Sequence, residues 1–221
     1  MELRRDFGRT MVTALTRLEE CTVGVLANGP KYLGGAVDSD GSDQGAIHAA
    51  LRRIRHPRRQ FLRHARHHGG DRRRRRPPWS GMRPRMFLTS SNMTVPYFTI
   101  VLRKAYGLGQ SAMAGGNYRA PYFYVSWSTG ELAPMGIEGQ VKLGFRAELA
   151  AIENPEERLR FFEEMVAKAY ETGKALHRST NLMVDDVIDP AETRTWVVNR
   201  LAAIRPAPAR TGKKRPMIDA L

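Results

Sequence analysis

The sequence predicts an α/β fold, and three of its features support this class. Short apolar runs rich in β-branched and aromatic residues alternate with segments of helical character, as in sheets whose strands are joined by helices. Two of these runs are followed by glycine turns that open helices. The last third of the chain carries two helix starts with typical capping residues.

The first two elements are predicted to be a helix and a strand. Four apolar residues recur at helical spacing within residues 6–20, namely Met11, Ala14, Leu15 and Leu18. Residues 22–27 form a short run rich in β-branched side chains. This run stops at the turn signals of Asn28-Gly29-Pro30, which is typical of a buried strand.

Two strand and glycine-turn units are predicted in the middle of the chain. Residues 94–102 have the composition of a strand, and Tyr106-Gly107-Leu108-Gly109 follows it just before a run of small helix-forming residues. Residues 121–127 predict another strand, and a second glycine turn at residues 135–139 opens the next helix.

The carboxyl-terminal helices are predicted from their caps. Asn154-Pro155-Glu156 supplies an N-cap and a proline at the first helical position, for a helix that runs to about Gly173. Asp189-Pro190 repeats this arrangement for a helix through Leu201. Residues 1–205 are therefore predicted to form one domain, and the proline and lysine content of residues 206–221 predicts a flexible tail.

The charge of the chain is concentrated in one segment. The 221 residues carry a formal net charge of +14. Between Gly45 and Met86 there are fourteen arginines, no lysine and one acid, Asp71, so this window holds +13 of the total. The remainder has the nearly balanced charge of an ordinary globular domain, which argues against a uniformly basic nucleic-acid binder.

Cysteine usage and hydropathy indicate a cytoplasmic protein. The single cysteine, Cys21, excludes an intrachain disulfide and a cysteine-rich zinc site, and it is typical of a reducing compartment. No apolar run approaches the roughly 20 residues that a membrane-spanning helix needs. Residues 1–6 also lack the apolar stretch of a signal peptide, so no membrane association is expected.

The first glycine turn, Tyr106-Gly107-Leu108-Gly109, is the strongest candidate site. Glycine between a buried strand and a helix allows a sharp turn, which aims backbone amides into a cleft beside the positive end of the helix dipole. Such a turn can hold an anion or a developing oxyanion. A tight turn without any chemistry has the same pattern, and the dinucleotide and phosphate-loop fingerprints are both incomplete here.

Acidic residues and histidine give weaker signals. The three aspartates within residues 185–189 could bind a metal, but they lack an EF-hand register and precede a helix start, so capping is favoured and no metal is predicted. Glu131 and Glu138 flank the second turn and could act in acid–base chemistry, although surface or capping roles are favoured. His177 has no serine and aspartate partners in the sequence and is not expected to be catalytic.

Six motifs, in order along the chain, carry a resemblance to a known family. The chain resembles the C-terminal domain of the carboxyltransferase (β) subunit of biotin-dependent acyl-CoA carboxylases, the propionyl-CoA and acetyl-CoA carboxylase group. The resemblance covers nearly all of residues 3–44 and 86–200. The motifs are Val-Gly-Val-Leu-Ala-Asn at 23–28, Leu-Gly-Gly at 33–35, Val-Pro-Tyr-Phe-Thr-Ile-Val-Leu-Arg-Lys-Ala-Tyr-Gly at 95–107, Ala-Pro-Met-Gly-Ile-Glu-Gly at 133–139, Asn-Pro-Glu-Glu-Arg at 154–158 and Asp-Asp-Val-Ile-Asp-Pro at 185–190.

The resemblance implies a crotonase-like fold and transfer of a carboxyl group from carboxybiotin to the α-carbon of an acyl-CoA thioester. By family position, the backbone amides of Leu108 and Gly109 form an oxyanion hole, and Gly107 permits the turn. The family usually has Gly-Ala at the first two of these positions, so Leu108 is a departure that a backbone donor tolerates. Ser111 and Gly136 are implied to contact substrate.

Partners and cofactors also follow from the resemblance. It implies biotin, presented as carboxybiotin on a carrier protein, acyl-CoA as the substrate, and a biotin carboxylase or biotin carboxyl carrier subunit as the partner. A homo-oligomer with complete carboxyltransferase subunits is expected. The amino-terminal domain of the family is absent from the sequence, so little or no activity is expected from this chain alone.

Residues 45–84 depart from the family pattern, which has an apolar helix and strand there and then a Cys-Asp-Thr-Pro-Gly-like turn. Nucleic-acid binding by Arg72–Arg76 and a disordered insertion are two interpretations of this segment. A third is a change of reading frame. The codons TTC TGC GAC ACG CCC GGC ATC ATG GTG encode Phe followed by the family motif, and read from their third base they give Leu-Arg-His-Ala-Arg-His-His-Gly, the sequence of residues 62–69.

The gene sequence tests the hypothesis that residues 45–84 are translated out of frame, with the family frame restored at Arg85-Met86-Phe87. We expect the displaced frame of this stretch to encode a Cys-Asp-Thr-Pro-Gly-like turn, and we expect the translated segment to have lost a core strand and to be disordered. A displaced frame without the family motif would contradict the hypothesis.

Overall fold

The computed structural model describes residues 1–50, 59–65, 85–91, 93, 95–116 and 121–204. Within these residues, seven strands form one sheet and two more form a small separate sheet. In chain order the strands are β1 (Glu2–Leu3), β2 (Met11–Leu18), β3 (Cys21–Asn28), β4 (Arg59–Ala65), β5 (Tyr97–Val101), β6 (Lys104–Tyr106), β7 (Phe123–Trp127), β8 (Glu131–Ala133) and β9 (Asp186–Ile188).

The helices of the described residues lie between and after these strands. They are α1 (Ser39–Ala50), α2 (Arg85–Ser91), α3 (Gly107–Met113), α4 (Ile137–Gly144), α5 (Arg146–Ala151), α6 (Pro155–Gly173), α7 (Ala175–Thr180) and α8 (Thr193–Ala203). In the part of the chain that the structure describes, every helix is too short or too polar to cross a membrane.

The large sheet is antiparallel at one edge and parallel elsewhere. Its order is β1-β2-β3-β4-β5-β7-β9. The pairs β1–β2 and β2–β3 are antiparallel, whereas every pair from β3 to β9 is parallel. Parallel neighbours need crossover connections, which here carry helices. The α/β class predicted from the sequence is confirmed.

Both faces of the large sheet are covered. Along β5, Phe98 and Ile100 belong to one apolar cluster and Val101 belongs to the other, because successive side chains point to opposite faces. α8 contributes Val197 to the first cluster, and α3 contributes Met113 to the second. Burial on both faces explains why β5 and β7 are almost continuously apolar in sequence.

The helix predicted within residues 6–20 is wrong, because most of that segment forms β2. Each residue of β2 pairs with a residue of β3, from Met11 opposite Asn28 to Leu18 opposite Cys21. Met11 and Thr13 are buried and Arg17 is exposed, which follows the period of two along the first part of the strand. The spacing of four apolar residues fitted a helix by coincidence, and pairing with β3 decided the outcome.

The other predicted elements are confirmed, with boundaries shifted by a few residues. β3, β5 and β7 lie within one to three residues of the predicted strands. α6 starts as expected, with the Asn154 side chain accepting a hydrogen bond from the Glu156 amide at 2.9 Å. The cap before α8 is a capping box between Asp189 and Glu192. The tail predicted for residues 206–221 lies outside the described residues.

The sequence predicted that the basic window, the arginine-rich segment between Gly45 and Met86, removes a core strand. This prediction is wrong for the backbone, because β4 occupies that strand position. β4 pairs with β3 on one side and with β5 on the other, in the interior of the sheet. Backbone hydrogen bonds do not require a particular side chain, so an arginine-bearing segment can occupy the strand position. Residues 45–50, which were also predicted to be disordered, belong to α1, so that part of the prediction is wrong. The predicted disorder of residues 51–58 and 66–84 lies outside the described residues.

A glycine at the end of α3 gives a test of the packing against β5. Gly115 has φ of +83°, and a Cβ built on it would overlap the hydroxyl of Tyr97. We expect Gly115→Ala to lower the free energy of unfolding by about 2–5 kcal/mol, from backbone strain and overpacking together. Urea denaturation measures this value.

Gly144→Ala is the matched control for that measurement. Gly144 ends α4, and nothing lies within 4 Å of an added Cβ. We expect no loss, or a gain of up to about 1 kcal/mol from helix propensity. Equal destabilisation by the two substitutions would contradict the packing described for Gly115.

Candidate active site

The small sheet brings the two glycine turns together. β6 and β8 are parallel neighbours, with Tyr106 in register with Ala133. Each strand is followed at once by a turn and a helix, α3 after β6 and α4 after β8. A Cβ built on Gly107 would lie 3.2 Å from the carbonyl oxygen of Pro134, so the two turns are in contact. The site is therefore formed at the carboxyl ends of adjacent parallel strands.

Gly107 has a conformation that other residues rarely adopt. Tyr106 is extended, with φ of −121° and ψ of 138°, and Gly107 follows with φ of +63°. The positive φ turns the chain from strand to helix within one residue. Gly136, at the start of the second turn, has φ of −56° and open space around an added Cβ. The backbone conformation therefore requires glycine at Gly107 but not at Gly136.

The amides at the start of α3 have no acceptor within the helix. The first amides of any α-helix have no intrahelical acceptor, and no described side chain caps this end of α3. Leu108 is 72% exposed, whereas Gly109 is buried, so this turn lies at the surface with its side chain directed away from the core. Ser111, one turn later, is half-buried.

A buried hydrogen bond holds the inner face of α3. The Gln110 side chain donates to the Tyr124 hydroxyl at 2.7 Å, and both residues are buried. Burial raises the pKa of Tyr124 well above its ordinary value, so this hydroxyl stays protonated. The contact ties the helix that follows the first turn to β7 of the large sheet.

Glu131 contacts two residues at and just before β6, the strand that leads into the first glycine turn. Its Oε2 accepts a hydrogen bond from the Tyr106 hydroxyl at 2.6 Å, and its Oε1 lies 3.3 Å from Nη1 of Arg103. The glutamate side chain is only 12% exposed, so the surface role favoured from the sequence is wrong. Burial first, and then this hydrogen bond, raise the pKa of Tyr106 well above its ordinary value.

Glu138 lies at the surface, which is the role that the sequence favoured, and it also forms a hydrogen bond with a tyrosine. Its Oε1 accepts a hydrogen bond from the Tyr170 hydroxyl at 2.7 Å, and that bond is the main reason why the pKa of Tyr170 rises to about 12. Lys104 lies above the Tyr170 ring, with its Nζ 5.8 Å from the ring centre. The hydrogen bonds of Tyr106 with Glu131 and of Tyr170 with Glu138 could not be predicted from the sequence alone, because the bonded residues are 25 and 32 positions apart.

The remaining candidates from the sequence have structural roles. Asp185 accepts a hydrogen bond from the Tyr124 amide at 2.7 Å, and Asp189 caps the turn before α8, so capping is confirmed for Asp189. No cluster of three metal-ligating side chains occurs among the residues described. His177 is exposed on α7. Arg72–Arg76 lie outside the described residues.

A surface cavity of about 480 Å³ opens among α4, α5 and α6. None of its lining residues belongs to either glycine turn, so it is separate from the candidate site. These residues are Lys142, Leu149, Pro155, Arg158, Leu159 and Phe162.

Comparison with known protein families identifies the family of this chain. Residues 1–51 and 86–218 match the carboxyl transferase domain. The chain belongs to the carboxyl transferase domain family. This match, which omits residues 52–85, confirms the resemblance carried by the sequence motifs.

Two characterised relatives show the level of similarity. The chain is 30% identical to the methylmalonyl-CoA carboxyltransferase 12S subunit of Propionibacterium freudenreichii subsp. shermanii, over 91% of this chain and 38% of the relative. It is 32% identical to the propionyl-CoA carboxylase carboxyltransferase subunit of Haloferax mediterranei, over 92% of this chain and 39% of the relative. This chain thus spans about two fifths of the length of these relatives.

Solved structures confirm the crotonase-like fold. A single-chain, multi-domain long-chain acyl-CoA carboxylase matches with a TM-score of 0.74 and 39% identity, over 90% of this chain and 19% of that one. The transcarboxylase 12S hexamer, solved with methylmalonyl-CoA and methylmalonic acid bound, matches with a TM-score of 0.80 and 26% identity, over 98% of this chain and 42% of that one.

A pair of alanine substitutions tests the geometry of the two turns. Because Gly107 has a positive φ and contacts Pro134, we expect Gly107→Ala to lower the free energy of unfolding by about 1–3 kcal/mol. Gly136→Ala, made at the equivalent turn where an added Cβ has open space, should change it by less than about 0.5 kcal/mol. Urea denaturation of both variants measures the difference, and the reverse order would contradict the assigned geometry.

Proposed function

We propose that this chain contributes the carboxyltransferase site of a biotin-dependent acyl-CoA carboxylase, with the amides of Leu108 and Gly109 as its oxyanion donors. The observation that carries the proposal is the uncapped start of α3 at a glycine turn in which Leu108 is exposed. Two backbone amides without acceptors fit a carbonyl oxygen that gains negative charge. The family membership supplies the reaction in which such an oxygen arises.

The chemistry explains why the site needs backbone donors rather than a charged side chain. Carboxybiotin, when bound, supplies the carboxyl group, which passes to the α-carbon of the acyl thioester while the α-proton is lost. Amides held in advance at the turn stabilise the resulting negative charge without reorganising. Gly107 sets their direction through its positive φ. Leu108 can replace a smaller residue, because its amide acts and its side chain lies in solvent.

We also propose roles for two neighbouring residues. Ser111 follows the oxyanion donors by one helical turn and is half-buried, so it is placed to line the acyl pocket. Gly136 begins the second turn, whose preceding residues contact the first turn. Its lack of a side chain leaves open space there, which is suited to substrate.

The proposed substrate is an acyl-CoA, and biotin is the proposed carboxyl carrier. The relatives include a methylmalonyl-CoA carboxyltransferase subunit and a propionyl-CoA carboxylase subunit, and both names specify acyl-CoA thioesters. A biotin carboxylase or carrier subunit and further carboxyltransferase subunits are the proposed partners, in the cytoplasm. The related 12S protein forms a hexamer.

Residues 45–84 are proposed to be an out-of-frame segment rather than a binding site. The family match stops at residue 51, six residues after the start inferred from the sequence, and resumes at 86, next to the inferred end. Within β4, Arg63 is in register with Leu26 of β3 and Thr99 of β5, and the side chains of Leu26 and Thr99 are buried. An arginine is a poor occupant of a strand inside a parallel sheet, so reduced stability and little activity of this chain are expected.

Binding of biotin and of acetyl-CoA, measured by equilibrium dialysis with the full chain, tests the proposed oxyanion donors. Gly109→Pro removes one amide in the first turn of α3, where the loss breaks no intrahelical hydrogen bond, and we expect about tenfold weaker binding of the ligand whose oxygen accepts from the turn amides. Leu108→Ala, the control, keeps both amides and should bind within about twofold of the unsubstituted chain. Equal weakening by the two substitutions, or binding of neither ligand, would contradict the proposed site.

A further inference from the structure

The ring of Tyr106, the residue before the first turn, is fixed by packing. Tyr106 is 3% exposed and lies in an apolar cluster with Ala133, which precedes the second turn, and Ile137, which lies within it. Partly buried side chains of α6 pack against the same cluster, including Tyr170. The ring therefore contacts both the neighbouring strand and the long helix behind it. Any movement of the strand end at Tyr106 must displace this ring.

The hydroxyl of Tyr106 is fixed separately, by Glu131. The hydrogen bond to Oε2 is 2.6 Å long, and bonds of this kind to a carboxylate are stronger than bonds between neutral groups. The other carboxylate oxygen pairs with Arg103, and the Glu131 amide donates to the Arg103 carbonyl at 2.6 Å. Arg103 immediately precedes β6, and Tyr106 is its last residue. One glutamate therefore holds both ends of this strand.

This arrangement matters because β6 has little other support. β6 and β8 share only three register pairs, and such short strands are weak on their own. Oxyanion donors are effective only when they are held close to the productive geometry. The amides of Leu108 and Gly109 begin two residues after Tyr106, so the position of that tyrosine sets theirs.

We propose that Glu131 is a positioning residue for the oxyanion turn, acting through the Tyr106 hydroxyl. It does not touch the ligand. It holds the end of β6 so that the turn amides keep one orientation. This inference rests on the proposed function of the turn, and it adds a residue from the neighbouring strand to the site.

Backbone order parameters of the ¹⁵N-labelled full chain test the proposal. Tyr106→Phe removes only the hydroxyl, and Glu131→Ala removes both contacts of the carboxylate. We expect the order parameters of Leu108 and Gly109 to fall from about 0.85 to below about 0.6 in both variants. Values in α6 should stay the same, because its contacts with the Tyr106 ring are kept. Unchanged order parameters at the turn in Tyr106→Phe would overturn the proposal.

Two further variants separate positioning from general stability. Glu131→Gln keeps a carbonyl oxygen that can accept from Tyr106, so we expect it to restore order at the turn relative to Glu131→Ala. Glu164→Gln breaks an exposed ion pair with Lys168 on α6 and should leave the turn unaffected. Loss of order throughout the chain in Tyr106→Phe would indicate a merely structural bond and would also overturn the proposal.

Ligand binding distinguishes this inference from the proposed function. Biotin and acetyl-CoA are titrated into the unsubstituted chain and into Tyr106→Phe. Weaker binding together with loss of order in the variant supports both ideas. Loss of order in the variant, with no binding of either ligand to the unsubstituted chain, supports positioning by Glu131 and contradicts the proposed function.

Discussion

The parallel pairing of β6 with β8 is the constraint on which the candidate site depends. Only three register pairs join these strands, yet they bring two glycine turns from distant parts of the sequence into contact. Parallel strands place their carboxyl ends at the same edge, so both following helices start there. The positive φ of Gly107 then directs the first amides of α3 away from the strand. The small sheet is thus the element that creates the site.

The large sheet stabilises the helix that follows the first glycine turn. Gln110 joins α3 to Tyr124 of β7, and apolar clusters cover both faces of the parallel strands. The weak element of that support is β4, whose arginine-bearing sequence lies between two strands with buried side chains. A chain with a small net stability is sensitive to one such strand. We therefore expect the arginine-bearing strand to lower the stability of the sheet.

Sequence patterns predicted the elements whose signals are local. The runs that form β3, β5 and β7, the two glycine turns and the capped starts of α6 and α8 each depend on neighbouring residues, and all are confirmed. The prediction of a helix in place of β2 is wrong, because pairing with β3 outweighs the helical spacing of four apolar residues in that segment. The bonds of Glu131 could not be predicted, since they depend on the register between β6 and β8. Long-range register is what the sequence pattern does not contain.

The position at which biotin contacts the chain tests the central claim most directly. Amide chemical shifts of the ¹⁵N-labelled chain, followed during titration with biotin and separately with acetyl-CoA, locate each contact. The account predicts that the largest shifts with one of these ligands fall on the amides of Leu108 and Gly109, with smaller shifts at the second turn. Largest shifts elsewhere with both ligands, for example in the cavity among α4, α5 and α6, would contradict it.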